Sequence, residues 1–254
     1  MSPRFLIPAA LALSLAVGAQ AEAAKVVGKL TVTDKFRRAL ADEDAKAPVA
    51  TKPGYWNEPN AVRDVEPPFV VPSSDLGIVL IRDGAPPPKP DEPTEVDVRA
   101  GGLGKNVVVV RPGTAVKFRS VDPFDHSLYV PALDDFKPEK QSRGAFRTIE
   151  FAREGVYEVR CQLVPHFRGW IVVTAATFVL KADASGGFSM DGLAVGDYTL
   201  RVFFRGKWIL EQKFKIENER GDFPVEVKID KAAVGAAPAA PTKAEEPAKK
   251  PAGR

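Results

Sequence analysis

Three side chains in this sequence carry donor atoms for a soft metal ion. Cys161 is the only cysteine, and His126 and His166 are the only two histidines. Cys161 ends the strand-like run GVYEVRC, and His166 follows in the loop before the apolar run WIVV. A thiolate and two imidazoles form the trigonal core of an electron-transfer copper site. His126, Cys161 and His166 are therefore the candidate metal ligands, and copper is the candidate cofactor.

The alternation of side chains along a strand predicts the direction in which the cysteine points. Cys161 shares one face of its strand with Tyr157 and Val159, whereas the charged residues between them fall on the other face. We therefore expect Cys161 to face the core at the end of a buried strand. His126 begins a strand after a polar bend, and His166 lies in a loop.

The elements around these residues have the pattern of β-structure. From residue 105 onward, short alternating segments separated by turns recur at the spacing of a β-sandwich. Helical periodicity is nearly absent, and a single short helix is predicted at 34–43. The sequence therefore predicts an all-β fold.

Four motifs follow one another within residues 105–174. In chain order they are VRPGTAVKF at 110–118, the isolated His126, GVYEVRC at 155–161 and GWIVV at 169–173. In this order they resemble the cupredoxins, the plastocyanin and azurin family. The resemblance implies a Greek-key β-sandwich with His126, Cys161 and His166 in the equatorial copper positions.

The loop after the cysteine departs from the family pattern. Many relatives read Cys-x-x-His-Pro-x-Met, and that register places Val164 at the histidine and Phe167 at the methionine. An azurin-like spacing, Cys-x4-His, makes His166 the ligand and places Trp170 at the methionine. Neither register supplies an axial methionine, which is a weak ligand that mainly tunes the reduction potential. The sequence leaves the choice open between a working copper site and a cupredoxin fold without its metal.

A second β-unit follows the candidate ligands. The run at 183–202, DASGGFSMDGLAVGDYTLRV, resembles the carboxypeptidase regulatory or transthyretin-like sandwich. The resemblance implies a structural or binding module without catalysis. Early strands at 24–32 and 75–82 could complete this unit, which would make the cupredoxin-like unit an insertion. They could instead form the edge of the cupredoxin-like sheet, and the sequence does not choose between the two.

The ends of the chain predict export. Residues 1–23 have the charged start, apolar run and small-residue cleavage site of a secretory signal. We therefore expect a periplasmic or secreted protein. No later stretch approaches the roughly 20 apolar residues of a membrane span, so none is expected. A single cysteine cannot form an internal disulfide, so the fold must depend on its hydrophobic core.

Charge and motifs argue against several classes of function. The net charge is +3, and the tail from residue 231 carries five basic and two acidic side chains, so the body is close to neutral. We expect no nucleic-acid binding, because no basic face with interleaved aromatics is present. We expect no enzyme, because a nucleophile elbow, a metal-binding His–Glu helix and a paired-carboxylate pattern are all missing.

These observations lead to one main hypothesis and one alternative. The fold class is all-β, with a cupredoxin-like Greek-key sandwich and a smaller transthyretin-like sandwich. The main hypothesis is an exported copper protein that transfers single electrons to a redox partner protein. The alternative is a metal-free scaffold or interaction protein of the cell envelope. We divide the chain into a signal peptide (1–23), N-terminal strands with a long loop and proline-rich connector (24–98), a cupredoxin-like domain (99–175), a carboxypeptidase regulatory-like unit (176–230) and a disordered tail (231–254).

Overall fold

A computed structural model describes residues 24–46, 75–183, 185–218 and 220–230. The predicted signal peptide, the long loop and the tail that we expect to be disordered lie outside the described residues.

The described residues contain one helix and sixteen strands. Their bounds are β1 (Ala24–Val32), α1 (Asp34–Lys46), β2 (Leu76–Arg82), β3 (Thr94–Arg99), β4 (Gly102–Leu103), β5 (Val107–Val110), β6 (Thr114–Ser120), β7 (His126–Tyr129), β8 (Glu139–Gln141), β9 (Phe146–Phe151), β10 (Gly155–Cys161), β11 (Arg168–Val173), β12 (Phe178–Leu180), β13 (Gly187–Leu193), β14 (Gly196–Phe204), β15 (Lys207–Ile216) and β16 (Asp222–Ile229).

Strands β3 to β11 form the first sandwich. One sheet has the order β5-β11-β10-β7-β8, and the other has the order β4-β3-β6-β9. Their inward side chains form one apolar core, because the apolar positions of each strand alternate with polar ones. The prediction of an all-β fold is confirmed. The buried side chains of the first sandwich include Val98, Val116, Phe118, Leu128, Val159 and Ile171.

The first sandwich begins earlier than we expect from the sequence. Strand β3 pairs in parallel with β6, with Val96 opposite Phe118, and antiparallel with β4. The sequence-based division assigns 94–98 to the connector. The segment TEVDVR is short and mostly polar, and it follows a proline-rich stretch. It therefore resembles a linker until its partner strands are known.

The N-terminal strands belong to the second sandwich. Strand β1 lies between β13 and β16, and β2 lies between β12 and β14. Leu80, Leu200 and Ile216 are fully buried in the core between these two sheets. The second sandwich therefore extends beyond the residues 176–230 assigned to it from the sequence, and the first sandwich is inserted between β2 and β12.

The predicted short helix is confirmed as α1, which packs on the second core. Thr33 Oγ1 accepts a hydrogen bond from Phe36 N at 3.3 Å, as a helix N-cap residue does. Phe36 and Leu40, four residues apart, are both buried. The Phe36 ring lies 6.1 Å from that of Phe204 on β14, so the helix covers one end of this core.

Outer faces of the two sandwiches pack against each other. Val107 and Val172 of the first sandwich form a buried cluster with Val79, Phe203 and Trp208 of the second. The apolar contact gives the pair of sandwiches a third core, between the sheets that contain β2 and β11.

Polar contacts hold the segment that joins β11 to β12. Arg111 Nε donates to Ala176 O at 3.2 Å and Arg111 Nη2 donates to Thr177 O at 2.9 Å. The same guanidinium forms an ion pair with Asp91. A charge-assisted network of this kind fixes the connection where the chain returns from the inserted sandwich.

Each sandwich also contains a tyrosine that bonds back to its own chain. Tyr157 Oη donates to Arg153 O at 2.9 Å, and Tyr198 Oη donates to Ala194 O at 2.8 Å. Both tyrosines are four residues after their acceptors, which is the geometry of the tyrosine corner of Greek-key sandwiches. Burial raises the pKa of both hydroxyl groups.

Among the described helices, none is long and apolar enough to span a membrane.

Candidate metal centre

Adjacent strands of the first sandwich bring two of the three predicted ligands together. Cys161 is the last residue of β10, and His126 is the first residue of β7. The two strands are antiparallel neighbours, with Cys161 opposite Leu128. His126 Nδ1 lies 3.8 Å from Cys161 Sγ. The contact joins residues that are 35 positions apart in the chain.

Cys161 points into the sandwich, as the strand alternation predicts. Its side chain is buried in the first core. The backbone N–H of Ser127 donates to Cys161 Sγ at 3.2 Å. The sulfur is therefore held in place by the backbone of the neighbouring strand.

His126 is fully buried, and both of its ring nitrogens have defined neighbours. Nε2 lies 3.0 Å from Asp122 Oδ2, and Nδ1 faces Cys161. Ala100 N and Gly101 N also donate to the Asp122 carboxylate, at 2.7 and 3.0 Å. Nε2 is therefore directed at the carboxylate and Nδ1 at the sulfur.

Two phenylalanines flank the imidazole ring. The Phe124 ring lies 5.1 Å from the His126 ring, and the Phe167 ring lies 5.9 Å from it. Phe167 is buried, whereas Phe124 is 47% exposed. The imidazole is therefore shielded from water, with Phe124 forming the outer surface of the site.

The third predicted ligand, His166, lies in the loop between β10 and β11. It is half-buried, and burial lowers its pKa. A Cβ atom added to Gly101 would lie 2.9 Å from His166 Nε2, so the imidazole packs against the backbone of Gly101. Within residues 24–46, 75–183, 185–218 and 220–230, no three His, Cys, Asp or Glu side chains are grouped to hold a metal ion.

The structure also places the residues that occupy ligand positions in the two family registers. Val164 and Phe167 are buried in the first core, and Phe167 N donates to Val164 O at 2.9 Å. Phe167 thus lies beside His126, as an apolar cover for the site. Trp170 packs instead against the cluster between the two sandwiches. Phe167 therefore contacts a candidate ligand, the His126 ring, whereas Trp170 lies on the other side of its sheet.

Asp122 belongs to this site but is not predicted from the sequence. From the sequence, the aspartates of the bend at 122–125 are interpreted as turn-forming residues. The structure gives Asp122 a buried carboxylate with His126 as its partner. The sequence offers one indication of this role, because Asp122 lies four residues before His126 in DPFDH. Asp125 in the same bend is equally polar, so the sequence does not show which aspartate contacts the histidine.

No family model and no curated protein matches the chain. Comparison with solved structures finds cupredoxins. An oxidized amicyanin mutant is 21% identical, with 32% of this chain and 81% of that chain covered and a TM-score of 0.30. A reduced amicyanin mutant is 17% identical, with 38% and 99% covered and a TM-score of 0.31. A purple cupredoxin from Nitrosopumilus maritimus is 19% identical, with 32% and 99% covered and a TM-score of 0.30.

Proposed function

We propose that this chain is an exported cupredoxin-like protein that binds one copper ion and transfers single electrons. Cys161 supplies a thiolate sulfur, and His126 and His166 supply neutral imidazole nitrogens. The observation that carries the proposal is the 3.8 Å separation of His126 Nδ1 and Cys161 Sγ, with Nε2 held by a carboxylate.

The separation of the two donor atoms fits a shared metal ion. Bonds of roughly 2.0 Å to nitrogen and 2.3 Å to sulfur, about 120° apart in a trigonal site, place the two donors about 3.7 Å from each other. Cys161 Sγ and His126 Nδ1 are 3.8 Å apart. A thiolate with an imidazole is also the donor combination that copper prefers over hard cations.

His166 is the third ligand in this proposal. It belongs to the short loop that begins directly after Cys161. The lowered pKa of His166 favours the neutral ring, which is the form that binds metals. The apolar surroundings of Phe167 and Val164 then exclude water from the donor set.

Copper would supply a one-electron redox couple at this position. The protein's residues hold the ion, exclude water and tune the potential through their polarity and hydrogen bonds. The physiological partner in this proposal is a redox protein or another envelope component. The second sandwich serves as a transthyretin-like structural or binding module, and the protein has no catalytic activity of its own.

A copper titration tests this function. Cu(II) added to the purified protein is expected to give intense visible absorption at one ion per chain. Cys161→Ser and His126→Ala should abolish the absorption while keeping the β-sheet circular dichroism. His166→Ala should weaken or shift it. A colourless wild-type mixture contradicts the proposal.

One observation favours a metal-free scaffold as the second candidate. In the Cys-x-x-His register, the histidine and methionine positions hold Val164 and Phe167, and both side chains are buried in the core. A metal-free protein should bind less than one copper ion per chain in equilibrium dialysis. Val164→His should then create binding that the wild type lacks. If the wild type already binds one copper ion and Val164→His does not increase the number of bound ions, the scaffold hypothesis is wrong.

A further inference from the structure

We propose that Asp122 is a positioning residue that holds both histidines of the candidate centre. Its carboxylate holds His126 in the tautomer whose Nδ1 lone pair faces Cys161. The same carboxylate holds the Ala100–Gly101 backbone against which His166 packs. The inference rests on the proposed copper function, and it concerns the ring and the loop before any metal binds.

The first step is the number of donors that converge on one buried carboxylate. Ala100 N donates to Oδ1 at 2.7 Å, and Gly101 N donates to Oδ2 at 3.0 Å. Nε2 of the fully buried His126 lies 3.0 Å from Oδ2. Since the two backbone partners are N–H groups that reach different oxygens, the site requires a side chain that accepts at both terminal atoms. Only an ionised Asp or Glu meets that requirement, and an Asn amide cannot.

The second step is the tautomer of His126. A neutral imidazole has one N–H and one lone pair, so a proton on Nε2 leaves the lone pair on Nδ1. Nδ1 is the nitrogen that lies 3.8 Å from Cys161 Sγ. If Nδ1 carried the proton instead, His126 could not bind an ion beside the sulfur. Carboxylates that accept from the second nitrogen of a ligand histidine fix the tautomer and ring orientation in known metal sites.

The third step is the loop that contacts His166. Ala100 and Gly101 have φ values of 52° and 67°, so two consecutive residues lie in the left-handed region. For alanine this region is unfavourable, and the two hydrogen bonds to Asp122 compensate for it. His166 Nε2 lies 2.9 Å from the position that a Gly101 Cβ would occupy. A shift of this loop therefore moves the surface on which the second imidazole rests.

The chain offers a matched control on the same bend. Asp125 lies three residues after Asp122, and its carboxylate pairs with Lys140 Nζ at 2.7 Å. Asp125→Asn makes the same chemical change as Asp122→Asn close to the site. It leaves every hydrogen bond of His126, Ala100 and Gly101 described above in place.

The experiment has one metal-free arm and one copper arm. Two-bond ¹H–¹⁵N spectra of the copper-free protein, at about pH 8 where an unperturbed imidazole is neutral, report the tautomer of His126. We expect the Nε2–H form in the wild type and in Asp125→Asn. Asp122→Asn should populate the Nδ1–H form. In the copper arm, competition titration should show affinity lowered by about 10- to 100-fold for Asp122→Asn and unchanged for Asp125→Asn.

The two arms separate failure of this inference from failure of the copper proposal. An Nδ1–H tautomer in the wild type overturns the inference even if Asp122→Asn does not fold. An unchanged tautomer in a folded Asp122→Asn also overturns it, as does equal copper affinity in that variant and the wild type. If the wild type binds no copper but its His126 tautomer depends on Asp122, the copper proposal fails and the positioning role stands.

Discussion

At the scale of single residues, His126 shows how a buried polar side chain is tolerated before any metal binds. Burial of an imidazole without partners is unfavourable, because its hydrogen bonds to water are lost. Here Nε2 has Asp122 and Nδ1 has Cys161. The ring is therefore held in a defined orientation by protein groups alone.

Tyr157 and Tyr198 offer a test of the residue-scale stabilisation of each sandwich. Each hydroxyl donates to a backbone carbonyl four residues earlier. Tyr157→Phe and Tyr198→Phe should each lower the free energy of unfolding by about 0.5–1.5 kcal/mol, the typical net contribution of a hydrogen bond. Urea unfolding at neutral pH measures the change. Unchanged free energies of unfolding in both variants would contradict a stabilising role for the two hydroxyl groups.

The same tyrosines predict sensitivity to alkaline pH. Burial raises the pKa of both hydroxyl groups above their ordinary value, so the unfolded chain loses these protons first as the pH rises. The folded state then binds more protons than the unfolded state, and stability falls with increasing pH above about 10. Urea midpoints from pH 8 to pH 11 should decrease less in the double Phe variant than in the wild type. Parallel curves for the two proteins would contradict this assignment.

At the scale of elements, the candidate site is formed by two strands and two loop segments. Strand β10 contributes Cys161, strand β7 contributes His126, and the loop after β10 contributes His166. The turn between β3 and β4 adds the backbone of Ala100 and Gly101. Because β7 and β10 are hydrogen-bonded neighbours, His126 and Cys161 are fixed by the sheet, whereas the position of His166 depends on loops.

Gly101→Ala should disturb the loop contact with His166. The added Cβ would lie 2.9 Å from His166 Nε2, and the φ of 67° is unfavourable for alanine by about 1–2 kcal/mol. We expect lower stability and a changed NMR shift of the His166 ring. If the proposed function holds, copper affinity should fall as well.

Gly144→Ala is the matched control for this substitution. Gly144 has a φ of 82°, and nothing lies within 4 Å of its added Cβ. The control therefore carries the backbone strain without the contact to His166. Thermal unfolding should show similar destabilisation in both variants, while only Gly101→Ala shifts the His166 signals. Equal effects on His166 in both variants would show that the contact has no role.

At the scale of the whole molecule, one sandwich is inserted into another. The chain leaves the second sandwich after β2 and returns to it at β12. Arg82 N donates to Thr177 Oγ1 at 2.9 Å, so the two ends of the insertion lie side by side. Insertions with adjacent ends disturb a host domain little, because the host strands keep their native pairings.

Deletion of the insertion is therefore expected to leave a folded second sandwich. A variant that lacks residues 84–176, with a short glycine linker in their place, should show β-sheet circular dichroism and a cooperative thermal transition. Its midpoint should be lower than that of the full chain, because Val79, Phe203 and Trp208 lose their apolar cover. A noncooperative or unfolded product would show that the two sandwiches depend on each other for folding.

Local pattern alone was enough to predict several features of this protein. Alternating apolar and charged residues identified the β-strands and the inward face of Cys161, because that alternation is a property of the strand itself. The helix α1 followed from the same kind of evidence. His126, Cys161 and His166 were selected together because cysteine and histidine are scarce in this chain.

Only the tertiary structure decided which strands pair and which polar groups meet. Strand alternation specifies a buried face but not the neighbour that buries it, so the sequence left β1 and β2 without a domain and treated β3 as linker. The role of Asp122 was hidden for the same reason. Its partners at Ala100, Gly101 and His126 converge on it through folding, and a carboxylate in a polar bend has no local feature that identifies it as buried.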